Sequence, residues 1–212
     1  MVNLVVRVWL PDRPGALGLV ASRIGALGAD IVGVDVLERS SNVAVDEFAV
    51  VLPDRDLVNL LVREVEEVDG ASIEECRIVE TFPDPPIDAL ASVEQFTTAT
   101  GLGELAARLT ERVVGEFHAD WSALLTGDTL LAGAGDRAPD PAALVVLAAG
   151  ANASPAVAAG EAGPDDLAVA PLPGLGATLL AGRDGHPFRL RERRQLRALA
   201  RIADRWASTF GP

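Results

Sequence analysis

The residues whose types and spacing point most directly to chemistry form the run Asp12-Arg13-Pro14-Gly15-Ala16-Leu17, which joins an alternating apolar segment, residues 4–10, to an amphipathic one, residues 17–27. A glycine-bearing turn at a helix start leaves backbone N–H groups unpaired and ready to receive an anion such as a carboxylate. Pro14 fixes φ at the first helical positions, and Gly15 removes the side chain that would hold a small molecule off the backbone. Asp12 has two readings: an acceptor for a cationic group, or a cap on the helix N–H groups.

Other chemistry is scarce. The chain has 18 basic side chains, all arginine, with no lysine and no tyrosine, so the phosphate-loop lysine, the Schiff-base lysine and the catalytic tyrosine are all excluded. The two histidines, His118 and His186, have no sequence-near catalytic partner, and hydrolysis through Ser122 or Asp120 lacks a nucleophile–base spacing. Cys76, the single cysteine, alternates with Glu74 and Ile78 on a predicted strand and reads as packing. Glu64, Glu66, Glu67 and Asp69 match no ordered loop of metal ligands. The expectation is a protein that is not an enzyme and carries no metal or cofactor.

A formal charge of −13 argues against nucleic acid and against an anionic membrane surface. No window reaches the ~18 apolar residues of a membrane span, and the lone cysteine with no export-type leader suggests a reducing, cytoplasmic setting. The arginines of the last helix, from Arg189 to Arg205, read as a solvated face paired with nearby carboxylates.

The elements that must position the turn follow from periodicity. Leu4, Val6, Val8 and Leu10 share one strand face, with Val5, Arg7 and Trp9 on the other, and Leu17, Val20, Ala21, Ile24 and Leu27 share a helix face. A hairpin spans residues 31–52, a second helix carries Leu57, Leu61, Val65 and Val68, and residues 72–81 form a fourth strand. The order β-α-β-β-α-β folds most simply as an antiparallel sheet with both helices on one face. Its other face is expected to be buried against another chain or the second domain.

The proline-dense residues 82–88 read as a linker. Domains are therefore expected at residues 1–81 and 89–212. In the second, a helix over residues 103–117 precedes a hairpin around residues 126–129, a strand over residues 144–149, strands over 167–172 and 177–181, and a terminal helix. That makes a sheet of about five strands; residues 150–166 carry no assignable pattern.

The first 81 residues resemble the ACT domain, a regulatory module that senses amino acids, in three matches: the element order, the run from Asp12 to Leu17, and Gly28-Ala29-Asp30-Ile31 leading into the second strand. The resemblance implies a ferredoxin-like α+β fold and a side-by-side homodimer that binds an amino acid between one subunit's first turn and its neighbour's second strand. N–H groups of Gly15, Ala16 and Leu17 would take the carboxylate and Asp12 the ammonium, with Arg13 and Pro14 shaping the turn. Ile31, Val32 and Gly33 of the partner chain would read the side chain. Asp30 departs from the family, which often has asparagine there. Residues 89–212 are similar to a shortened GAF domain, an α/β sensory fold, on the helix-hairpin opening, Ala168-Val169-Ala170-Pro171-Leu172, Thr178-Leu179-Leu180-Ala181 and the helix after Pro187-Phe188-Arg189. With no cysteine beyond Cys76, bilin, haem and iron–sulfur cofactors are not expected. The implied function is a non-catalytic sensor whose ligand modulates the second domain or a protein partner; the alternative is a regulatory subunit or scaffold that docks an enzyme, with ligand binding lost.

Overall fold

Alternation of branched apolar residues sets the first strand, β1 (Val2–Pro11), whose Leu4, Val6, Val8 and Leu10 are buried on one face. The computed structural model describes residues 1–159 and 161–210, and the chain divides into two units, Met1–Pro83 and Asp84–Pro212. Gly160, Gly211 and Pro212, which fall within the second region read from the sequence, lie outside the described residues.

In the first unit β1 is followed by α1 (Ala16–Ala26), β2 (Asp30–Arg39), β3 (Val43–Leu52), α2 (Val58–Glu66) and β4 (Ser72–Val79). The sheet order is β2-β3-β1-β4, with every neighbouring pair antiparallel. One core joins Val20 and Ile24 of α1, Leu61 and Val65 of α2, the inward face of β1, and Phe48, Val50 and Leu52 of β3. Full burial of each such side chain stabilises the fold by about 1.5–3 kcal/mol. Away from this core, Arg7 pairs with Glu47 at 2.8 Å and lies 3.7 Å from Glu74 and 3.9 Å from Glu75.

The second unit contains α3 (Pro85–Thr97), α4 (Leu102–Phe117), β5 (Trp121–Thr126), β6 (Thr129–Gly135), α5 (Pro141–Ala153), the short α6 (Pro155–Ala158), β7 (Leu167–Leu172), β8 (Ala177–Gly182) and α7 (Leu190–Ala207). Its antiparallel sheet has the order β6-β5-β8-β7 and is covered on both faces. Phe96, Leu109, Val113, Leu196 and Leu199 of α3, α4 and α7 pack with Leu124 and Leu179, while Leu144 and Ala148 of α5 pack with Trp121, Leu125 and Leu180. Gly182 lies against the Trp121 ring so closely that a Cβ there would collide with it.

Three expectations are corrected. Residues 144–149 are helical, not a strand, so the second sheet has four strands. The helix is started by Asp140, whose carboxylate accepts from Ala143 N at 3.0 Å, and by Pro141 in the first turn, where a missing N–H costs nothing. The proline-rich segment is only partly a connector. Pro85 and Pro86 open α3, capped by Asp84 accepting from Ile87 N at 3.2 Å. Last, not all arginines near the terminal helix are solvated. Arg193 is 7% exposed and donates to the carbonyls of Phe188, Leu167 and Pro164 at 3.1, 2.7 and 2.7 Å.

Arg183, which precedes α7, is deeply buried. It forms a forked pair with Glu192 at 2.9 and 2.8 Å and donates to the carbonyls of Phe117, His186 and Pro187. Its guanidinium also stacks 4.1 Å from the centre of the Phe188 ring. Glu192 in turn accepts from Arg189 N at 2.7 Å, closing the helix start.

Candidate functional site

The turn from β1 into α1 is shaped by its glycine. Gly15 has φ 88°, a left-handed conformation that L side chains rarely adopt, and open space surrounds the position where a Cβ would stand. No side chain caps α1. Arg13 N donates to Pro11 O at 2.8 Å, and Ala16 N closes the turn on Arg13 O at 3.2 Å. Ala16 N is therefore engaged, contrary to the expectation that it awaits a ligand. Among the described residues, Gly15, Leu17 and Gly18 donate to no backbone carbonyl, and with the helix dipole they form a small anion-attracting cluster.

The six turn residues do not all face one place. Asp12 N donates to Asn42 O at 2.9 Å, and the Asp12 carboxylate receives Arg39 through Nε and Nη2, each at 2.8 Å. This pair holds the Asp12 carboxyl below the usual carboxylate range. Arg13 reaches toward Asp69 at 4.0 Å on the surface, and Pro14 is exposed. Ala16 is buried against the sheet, whereas Leu17 is 43% exposed.

The second set of expected ligand residues opens β2. Asp30 is exposed, Ile31 packs against the edge of the core, Val32 is 52% exposed at a break in the register, and Gly33 sits opposite Ala49. β2 begins after the end of α1 and finishes at Arg39, which reaches Asp12. The 11 residues of α1 span about 16 Å, so the chain places residues 30–33 and the turn at opposite ends of the helix. Val32, Val34 and Val36 leave β2 as an apolar edge strand, 52%, 43% and 51% exposed.

Asp46 of β3 was not singled out by the sequence reading. It stands opposite Val8 of β1 and Val36 of β2, in phase with Phe48 and Val50 and so on the helix-covered face. It is 5% exposed, and its Oδ1 has no hydrogen-bond partner. Burial pushes its carboxyl upward, aided by the charge of Asp12, with Arg39 opposing. A carboxylate falling on the face shared by Ala44, Phe48, Val50 and Leu52 is a signal present in the strand alternation.

In the second unit a cavity of about 410 Å³ lies between α5 and the sheet, lined by Leu125, Asp128, Val145, Asn152 and Thr178 among others. Within its lining Asn152 Nδ2 donates to Thr178 Oγ1 at 2.8 Å. Ser122 is fully buried, and Asp120 accepts from Asp184 N at 2.7 Å. Burial, and then Glu75, push the Cys76 thiol up, which keeps it a poor nucleophile. Among the described residues no group of three His, Cys, Asp or Glu side chains is placed to hold a metal, and no helix is long and apolar enough to cross a membrane.

The sequence matches no protein-family model and no curated protein. Among solved structures it is similar to RpBphP3, a bacteriophytochrome from the photosynthetic bacterium R. palustris, at 11% identity and a TM-score of 0.40 over 84% of this chain. The chain spans 47% of that one. A likeness so remote transfers no site.

Proposed function

We propose that the first unit is an ACT-type, ferredoxin-like module that binds an amino acid at a homodimer interface, and that the chain is a non-catalytic regulatory protein in which the ligand modulates a GAF-like second unit or a protein partner. The observation that carries this reading is the pairing of unengaged α1 amides with an apolar, unpaired β2 edge in the same small unit. The amides suit a carboxylate. The edge suits a second copy: two β2 strands related by a two-fold axis pair antiparallel and extend the sheet. That pairing brings residues 30–33 of one chain toward the Arg39 end, and so toward the turn, of the other. It supplies the encounter that a single chain lacks. An unpaired apolar edge is otherwise an aggregation hazard.

A signal then requires only that the amino acid bind one dimer arrangement better than another. Titration calorimetry with the twenty proteinogenic amino acids, combined with analytical ultracentrifugation, tests the reading. The expected result is heat from at least one amino acid and a dimer that tightens in its presence. A dimer indifferent to all twenty, recovered with an enzyme partner, would favour the docking scaffold instead. A strict monomer without heat removes both the interface and the ligand.

A further inference from the structure

Resting on that amino-acid reading, the structure assigns the ammonium-binding role to Asp46 rather than to Asp12, the carboxylate lying instead on the amides of Gly15, Leu17 and Gly18. Four observations converge. First, both oxygens of Asp12 already accept from Arg39, at 2.8 Å each, so its charge is met by a seated guanidinium before any ammonium arrives. Second, Asp46 is buried to 5% exposure, yet Oδ1 has no partner, and an acceptor left in that state costs stability unless something donates to it. Third, the backbone carries Asp46 to the correct end of the sheet. It is opposite Val8, four residues before Asp12, and two residues from Ala44, which is paired with both Leu10 and Arg39.

The fourth observation concerns the helix above it. α1 turns Ala16, Val20 and Ile24 toward the sheet, and Ala16 is the residue of its first turn. Ala16 and Ala44 are buried but stand outside the core cluster that Val20, one turn further on, joins. The charges of Asp12 and Arg39 both act on the Asp46 carboxyl, in keeping with the register, which pairs Ala44, two residues away, with Arg39.

The recognition logic is that of a zwitterion. Amides at a helix start accept the negative end and cannot bind the positive one; a desolvated carboxylate does the reverse. A ligand with only the acid end would leave Asp46 unpaired in an apolar wall, and a site built to pair a donor rejects the analogue lacking it far more strongly than a greasy pocket rejects a missing methylene. The site therefore selects α-amino acids over the corresponding 2-hydroxy and keto acids.

Calorimetric titration of the full chain with the twenty amino acids, and with the 2-hydroxy acid corresponding to each that binds (2-hydroxyisovalerate for L-valine), tests this. The wild-type protein is expected to bind the amino acid at least about tenfold more tightly than its hydroxy acid. In Asp46→Asn, which keeps the shape and removes the charge, amino-acid affinity is expected to fall by about tenfold or more and the preference over the hydroxy acid to shrink toward unity. Thermal unfolding of Asp46→Asn without ligand should show a Tm at or above that of the wild type, which separates lost binding from lost folding. Retention of wild-type affinity and preference by Asp46→Asn overturns the assignment while leaving the amino-acid reading in place. Absence of binding by all twenty amino acids to the wild-type protein removes that reading, and the assignment with it.

Discussion

Asp46 in the first unit and Glu192 in the second are both buried carboxylates, and their surroundings are opposite. Glu192 is met by a forked Arg183 and by the Arg189 amide, and Arg183 is satisfied in its turn by three carbonyls and an aromatic face. Asp46 has an oxygen with no donor at all. The first arrangement is what a fold does with a charge it needs for its own architecture. The second costs stability, and it is the arrangement on which the proposed ammonium site rests.

Replacing Arg183 with methionine should break the comparison most violently, because Glu192 would then be buried beside unpaired carbonyls. A loss of about 3–5 kcal/mol is expected in urea unfolding at neutral pH, and a loss below 1 kcal/mol would show that the pair is incidental.

Asp46→Asn should act in the other direction. Because burial raises the folded-state carboxyl above its unfolded value, the native state binds more protons through that window, and wild-type stability falls as pH rises through it. The asparagine variant lacks this slope. It should be more stable than wild type by about 1 kcal/mol at pH 7, and the gap should close below the ordinary carboxylate range. Urea titrations at several pH values read this directly; a variant less stable than wild type at pH 7 would mean that Asp46 has an internal partner.

Glu104 sharpens the contrast from the exposed end of the scale. Thr100, through its N–H and hydroxyl, and Arg108 hold this carboxyl down to about 2. Its contribution is therefore present above the unfolded value of 4.5 and is lost as pH falls toward about 2. Glu104→Gln should lower Tm slightly at pH 7, less than either change above, since solvent screens the group. As pH falls through about 2 the two melting curves should converge.

The order of elements in the first unit was legible because each apolar stripe has an unambiguous period. The second unit resisted where period disappears. Residues 144–149 are apolar all round, and such a run reads equally as a buried strand or a buried helix. The Asp140-Pro141 start signal was the feature able to decide it. Residues 82–88 were misjudged for the related reason that proline both breaks chains and opens helices, and only Asp84 placed just before Pro85 and Pro86 distinguishes the two. At the site, the turn was visible as local sequence, but the Arg39 grip on Asp12 joins residues 27 positions apart. Asp46 was visible in principle as the one acid on an apolar strand face. Its lack of a partner was not, since that depends on what α1, β1 and β2 bring around it.

The seat of Trp121 against Gly182 has an optical consequence. The chain has three tryptophans and no tyrosine, so emission excited at the red edge of its absorption, where phenylalanine is silent, comes from Trp9, Trp121 and Trp206. The Trp121 indole, set in an apolar cluster with Leu125, Leu144 and Leu180, should emit at short wavelength and redden when the β5–β8 pair opens. Trp9, on the strand that feeds the Asp12 turn, would report from the other unit, and with Trp206 replaced by phenylalanine one fluorimeter trace could follow the two halves of the molecule by colour.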